Sequence, residues 1–159
     1  MAKKWFSLIY GGKVLVKRWL SLDLGHVRIG VALSDGLGLT AQPLTVLKAA
    51  SIQKDIVQIG ELVNQHEVTQ VIVGLPYNMN GTESTQTEKV RKFTLKLAER
   101  LSVPVYYLDE RLTSKQAERA MIEGGARRET RRANLDKVAA AILLQSALDG
   151  APLKPVKKI

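Results

Sequence analysis

Apolar positions first alternate and later recur every three to four residues, and the switch between these periods predicts the layout of the chain. From Arg18 to Leu24, Leu20 and Leu22 fall on one side and Trp19, Ser21 and Asp23 on the other, as in a strand. Gly25 punctuates it, and Arg28-Ile29-Gly30-Val31-Ala32-Leu33 reads as a second strand, stopped by Ser34-Asp35-Gly36-Leu37-Gly38. A third runs from about Thr40 to Leu47, with Pro43 marking an edge or an irregularity. Short strands joined by glycine-rich turns predict an antiparallel meander.

The period then changes. Ile52, Ile56, Ile59 and Val63 recur at helical spacing behind Ser51, a suitable N-cap. Val71-Ile72-Val73-Gly74-Leu75 is wholly apolar, as in a strand buried on both faces. A polar loop through Pro76, Tyr77, Asn78 and Gly81 leads to a helix with Val90, Phe93, Leu97 and Leu101 on one stripe, and Val103 to Leu108 is the next buried strand. Helices near Ser114–Glu123 and Asn134–Leu148 follow, separated by an arginine-rich loop, and the tail from Pro152 to Ile159 reads as frayed. Strand-helix-strand units require right-handed crossovers and parallel pairing. The expected fold is α/β: a mixed sheet of five strands, a meander of three plus two parallel strands, with helices on both faces. Residues 18–150 form the expected domain. Residues 1–17 read as a flexible basic extension with no function attached, and 151–159 as a Pro/Lys-rich tail.

Charge narrows the partners. The 159 residues carry 24 Lys+Arg against 15 Asp+Glu, a net +9 that favours polyanions over a merely solubilising role. The absence of cysteine removes disulfides, thiolate metal sites and cysteine nucleophiles, and fits a reducing compartment. No apolar run is long enough to span a bilayer, and the basic N-terminus is broken by Gly11-Gly12-Lys13, so neither a membrane span nor a signal peptide is expected. The expected location is cytoplasmic.

Acids are the candidate chemistry. Asp23 ends the first strand on the face opposite Leu20 and Leu22, and Asp109-Glu110-Arg111 ends the last strand, where open α/β sheets place their ligands. Asp136 shares a helical stripe with Ala140, Leu143 and Ala147. Each has a structural role available: a turn acid, a partner for Arg111, a complement to a helix dipole. Jointly, three elements place acids at positions able to converge. Two carboxylates within about 4 Å repel by roughly 4 kcal/mol at an effective dielectric of about 20. Either a shared proton or a bound divalent cation must offset that; hard oxygen ligands without cysteine point to Mg2+ or Mn2+, which would support phosphodiester cleavage. Arg127, Arg128, Arg131 and Arg132 precede the Asp136 helix, and Arg111, Lys115 and Arg119 follow the second acid site, all suited to phosphate. His26 and His66 read as turn and helix-end residues, and Tyr77 is the loop aromatic available for stacking.

These blocks resemble the YqgF family, also called RuvX. Leu22-Asp23-Leu24-Gly25, Arg28-Ile29-Gly30-Val31-Ala32 and Ser34-Asp35 are similar to its opening signature, and Val73-Gly74-Leu75-Pro76 with Asn78, Met79 and Gly81 to its central loop. Asp109-Glu110-Arg111-Leu112-Thr113 resembles its most specific motif, and Asp136 with Ala139-Ala140 and Ile142-Leu143 its closing helix. Each block alone is weak; together, in order from about Trp19 to Leu148, they are specific. The resemblance implies an RNase H-like fold and a nuclease related to Holliday junction resolvases, chiefly one maturing the 5′ end of pre-16S rRNA in ribosome biogenesis. It implies Asp23, Glu110 and Asp136 as catalytic metal ligands, with Asp109 as a further ligand or supporting group, and places Arg28 and Asn78 among the nucleic-acid-binding candidates. One departure stands out. The strand ending at Leu75 leads into Pro76 and Asn78, where the resolvases place an acid, so the second acid must come from the neighbouring strand. Two alternatives remain: a resolvase of branched DNA, which would need a symmetric dimer to cut two strands, and a non-catalytic nucleic-acid-binding or transcription-associated factor that keeps the fold. The phosphate loop of actin-like ATPases is also similar to the Asp23 turn, but the second domain it requires is missing.

Overall fold

The computed structural model describes residues 9–10, 13–14, 17–123 and 131–158, with side chains for 17–119 and 136–158. The expected extension over residues 1–17 lies mostly outside the described residues; its described positions form β1 (Ile9–Tyr10) and β2 (Lys13–Val14), paired antiparallel. The main sheet contains β3 (Trp19–Leu24), β4 (Arg28–Ser34), β5 (Ala41–Lys48), β6 (Gln70–Leu75), β7 (Val105–Asp109) and β8 (Lys154–Pro155). Its order is β5-β4-β3-β6-β7-β8. The pairs β3–β4 and β4–β5 are antiparallel, whereas β3–β6 and β6–β7 are parallel. Pro43 sits on the edge strand beside a register shift at Val31/Ala32, where its missing N–H costs least.

Strand alternation divides the core in two. Leu20, Leu22, Val31, Val71, Val73 and Tyr107 pack beneath α1 (Ile52–Gln65) and α2 (Thr85–Arg100). Ala32, Ile72 and Leu108 pack beneath α4 (Arg131–Leu148), which is flanked by α3 (Lys115–Glu123). Ser51 caps α1 by accepting from the Lys54 N–H, and Ile56, Ile59 and Val63 are buried as the period requires. Ile52, expected on the same stripe, is exposed at the first residue of the helix.

Three polar side chains seat α4. Buried Ser21 donates to the Ala140 carbonyl (2.6 Å), Gln145 bonds the backbone of both Ala41 (2.9 Å) and Leu39 (3.1 Å), and Ser146 accepts from the Ser114 N–H (3.1 Å). The helix register over the sheet, and hence the position of Asp136, follows from these contacts.

Two expectations are corrected. The tail is docked: Lys154 and Pro155 pair with Tyr107 and Tyr106, the Val156 N–H reaches the Val105 carbonyl, and the sheet has six strands rather than five. An edge strand held by backbone bonds on one side tolerates proline and needs no apolar alternation, so the pattern concealed it. The last helix also starts at Arg131 rather than Asn134, so Arg131 and Arg132 belong to its first turn and not to a loop. Arg, Ala and Leu are good helix formers, and nothing in Arg131-Arg132-Ala133-Asn134-Leu135 stops the helix earlier.

Candidate active site

Asp23 lies near the C-terminal end of β3, on the α4 face with Trp19 and Ser21, and its cross-strand partner is Gly30. That pairing decides where Asp136 can be. A β-carbon at Gly30 would stand 2.0 Å from the Asp136 carbonyl oxygen, so the start of α4 rests directly on a strand that carries no side chain there. Asp136 is thereby held beside Asp23, and its carboxylate also reaches Arg28 at 3.8 Å.

Glu110 arrives from the opposite side. β7 ends at Asp109, and a 3-10 turn over Glu110–Leu112 carries the chain on. Alternation places Leu108 and Glu110 on the α4 face and Tyr107 and Asp109 on the other. Glu110 folds over Gly74, where a β-carbon would meet its Oε1 at 2.8 Å and Leu143 at 3.2 Å. Asp109 instead accepts from the backbone N–H of Arg111 (3.0 Å) and forms an ion pair with its guanidinium (2.7 Å). Geometry therefore groups Glu110, not Asp109, with Asp23.

The two carboxylates border a cavity of about 250 Å³ with Thr113, Glu118, Ala139, Ile142 and Leu143. Burial and the neighbouring Asp136 raise the Asp23 carboxyl above its ordinary value. Burial, then Asp23, then Asp109 push Glu110 up to about 7, whereas Arg111 holds Asp109 low. Among the described residues, no three Asp, Glu or His side chains are grouped closely enough to hold a metal ion together, so Asp23, Glu110 and Asp136 do not form the expected three-acid set. The site is an open pair of carboxylates with Asp136 one step away. That suits Mg2+, which is commonly held by one or two carboxylates while water and substrate phosphate complete its shell.

The charge on Glu110 also predicts a stability effect. Its folded pKa of about 7 exceeds the ordinary 4.5, so the folded state binds more protons between those values and stability falls as pH rises through the window. The difference corresponds to at most about 3 kcal/mol, less after solvent screening. Without divalent cations, Glu110→Gln should raise the melting temperature at pH 8 by several °C and leave it unchanged near pH 4. A lower melting temperature at pH 8 would show that the carboxylate is compensated.

The basic candidates are dispersed. Arg28, Arg111, Lys115 and Arg119 are exposed around the carboxylates, Arg111 being engaged by Asp109. Asn78 is exposed, but its carboxamide donates to Thr82 (2.9 Å). Tyr77 is no free stacking surface: Arg111 lies over its ring (5.3 Å to the centroid) and Arg91 donates to its hydroxyl (2.8 Å). Arg127 and Arg128 lie outside the described residues, as do the side chains of Arg131 and Arg132. Sequence reasoning missed Glu118 and Thr113 as lining residues, and Gly30 and Gly74 as the spaces that admit Asp136 and Glu110. A glycine inside a strand is the signal for such close approach.

Comparison with known proteins gives the family and the fold. Residues 17–150 match a family described as RuvX, Holliday junction resolvase. The chain is 46% identical over 132 residues to a Myxococcus xanthus protein, covering 83% of this chain and 87% of that one. It is 49% identical over 133 residues to one from Caldanaerobacter subterraneus subsp. tengcongensis, covering 83% and 96%. Both relatives are named as candidate pre-16S rRNA nucleases. Among solved structures, Thermus thermophilus RuvC in complex with a Holliday junction substrate superposes with a TM-score of 0.58 at 18% identity, covering 87% of this chain and 99% of that one. The fowlpox virus resolvase bound to Holliday junction DNA gives 0.52 at 13%, covering 83% and 97%. These likenesses show a RuvC-like, RNase H-type fold.

Proposed function

The chain belongs to the RuvX family, and on that premise we propose that it is a divalent-cation-dependent nuclease that trims the 5′ end of pre-16S rRNA. The observation that carries the reading is the pair Asp23 and Glu110: two half-buried carboxylates facing one cavity, each raised by burial and by a neighbouring acid. Such repulsion is retained where a cation relieves it. Asp23 and Glu110 would hold Mg2+ or Mn2+, with Asp136 completing the acidic side and Asp109 supporting from behind through Arg111. A cation there supplies charge to the phosphate oxygens and acidifies an attacking water.

The chain's own residues do the positioning. Gly30 and Gly74 let the acids approach, while Ser21 and Gln145 fix the helix that carries Asp136. Arg28, Arg111, Lys115 and the arginines from Arg127 to Arg132 would neutralise backbone phosphates around the site. The nuclease unit would be residues 18–150, working in the cytoplasm; among the described residues, no helix is long and apolar enough to cross a membrane. The RuvC-like fold favours a second substrate, a four-way DNA junction cut by a symmetric dimer.

The test offers purified protein a 16S precursor with its 5′ leader, or a four-way DNA junction, and measures the protein's mass in solution. The expected result is leader cleavage that requires Mg2+ or Mn2+ and stops with chelator. Full activity in chelator would remove the metal from the proposal. A dimer that cuts only the junction would replace the ribosomal substrate with the branched one.

A further inference from the structure

The loop between β6 and α2 presents Met79 to solvent at 90% exposure, in a segment otherwise built of turn-forming and polar residues. Turns favour Asn, Asp and Gly, so an apolar tip serves no folding purpose here. The loop is nevertheless firmly built. Asn78 N–H donates to the Thr82 carbonyl (2.9 Å), Gly81 N–H to the Asn78 carbonyl (2.8 Å), and Tyr77 bridges to Glu83. Gly81 takes the left-handed conformation that lets the chain return, at φ +86°. At the base, Arg91 pairs with Glu83 (2.7 Å) and donates to the Tyr77 hydroxyl, while Arg111 covers the Tyr77 ring. A flexible tip would lose its freedom on binding; a pinned one does not.

Position completes the case. The loop leaves β6 at Leu75, whose strand partner is Asp109, so it rises beside Glu110 and shares Arg111 with that turn. An apolar side chain on a rigid support, flanked by amides and next to a phosphodiester-cleaving site, matches the way proteins open a base step by inserting Met, Leu or Phe. Resting on the nuclease reading above, we propose that Met79 is a wedge that enters between stacked bases beside the scissile phosphate. The preferred substrate is then a boundary between paired and unpaired nucleic acid, where the inserted side chain props the step open.

The test separates this proposal from its premise. An RNA hairpin with a single-stranded 5′ extension carries 2-aminopurine at the boundary and is titrated with the Asp23→Asn protein in Mg2+, so that binding is followed without cleavage. Saturation should raise the fluorescence as the base unstacks. Adding Met79→Gln should remove most of that rise, and Met79→Leu should preserve it. With the acids intact, Met79→Gln should lower kcat/KM on the hairpin about 10-fold more than on the same strand unpaired, because only the hairpin has a step to open. Binding with no fluorescence change, or equal losses on both substrates, would overturn the wedge. Failure of every form to bind or cut any nucleic acid would overturn the nuclease reading itself. Met79 touches solvent almost entirely, so these variants should fold like the parent.

Discussion

Asp23→Asn is expected to lower single-turnover cleavage by on the order of 10³-fold, the scale seen when a group acting on transition-state charge is removed. Three features of its surroundings support that size. Asp23 belongs to the central strand β3, paired on both sides, so neither it nor its replacement can drift. Its charge faces Glu110 and Asp136, so the site loses a share of negative potential that no neighbouring acid is placed to restore. The carboxamide has the same shape, so packing survives. Nucleic-acid affinity should be unchanged or tighter, since an anion near the phosphates has gone. Stability should move the other way from activity. The folded Asp23 pKa is raised above 3.8, so its ionised form opposes folding once pH passes that raised value. Without metal at pH 8, the variant should melt above the parent, as for other active-site groups held against their own preference. Cleavage within a few-fold of the parent, or a marked drop in melting temperature, would make Asp23 a structural acid.

How much of this was legible follows from what each residue had to encode. Leu20 and Leu22 opposite Ser21 and Asp23 fixed the parity of β3, because one strand face there carries polar groups. The strand Val105–Asp109 gave no such information, since Tyr106, Tyr107 and Leu108 are apolar or amphipathic on both faces. The choice between Asp109 and Glu110 was therefore closed to pattern. The 3-10 turn and the missing side chain of Gly74 bring Glu110, rather than Asp109, to the cavity that Asp23 borders. The docked tail was hidden for another reason. Lys154 and Pro155 are held through backbone atoms, and Lys158 adds a bond to the Leu101 carbonyl (3.0 Å), contacts with little side-chain signature. Tyr77 was legible as a loop aromatic, but its engagement by Arg91 and Arg111 joins residues from three elements and could not be read locally.

Gly30 is where fold and chemistry meet, and Gly30→Ala carries the second large expected effect. In most strands this change is mild or favourable, since alanine restricts the unfolded chain. Here the added carbon would stand 2.0 Å from the Asp136 carbonyl oxygen, a backbone atom of a helix pinned by Ser21, Gln145 and Ser146. Normal contact requires about 3.5 Å, so the turn of α4 that carries Asp136 must lift by an ångström or more. Overpacking of this kind costs about 1–3 kcal/mol, several °C in melting temperature for a chain of this size. The same displacement carries Asp136 away from Asp23, and misplacing a catalytic group by about 1 Å costs roughly 10²-fold in rate. Gly60→Ala supplies the contrast. Gly60 lies inside α1, and a β-carbon there meets Leu101 Cδ2 only at 4.0 Å. That substitution should add about 0.5–1 kcal/mol of stability through helix propensity and leave cleavage intact. Thermal melts and single-turnover rates on both variants decide the matter. If Gly30→Ala melts and cleaves like the parent, α4 is not seated on β4 as described, and Asp136 loses its place beside Asp23.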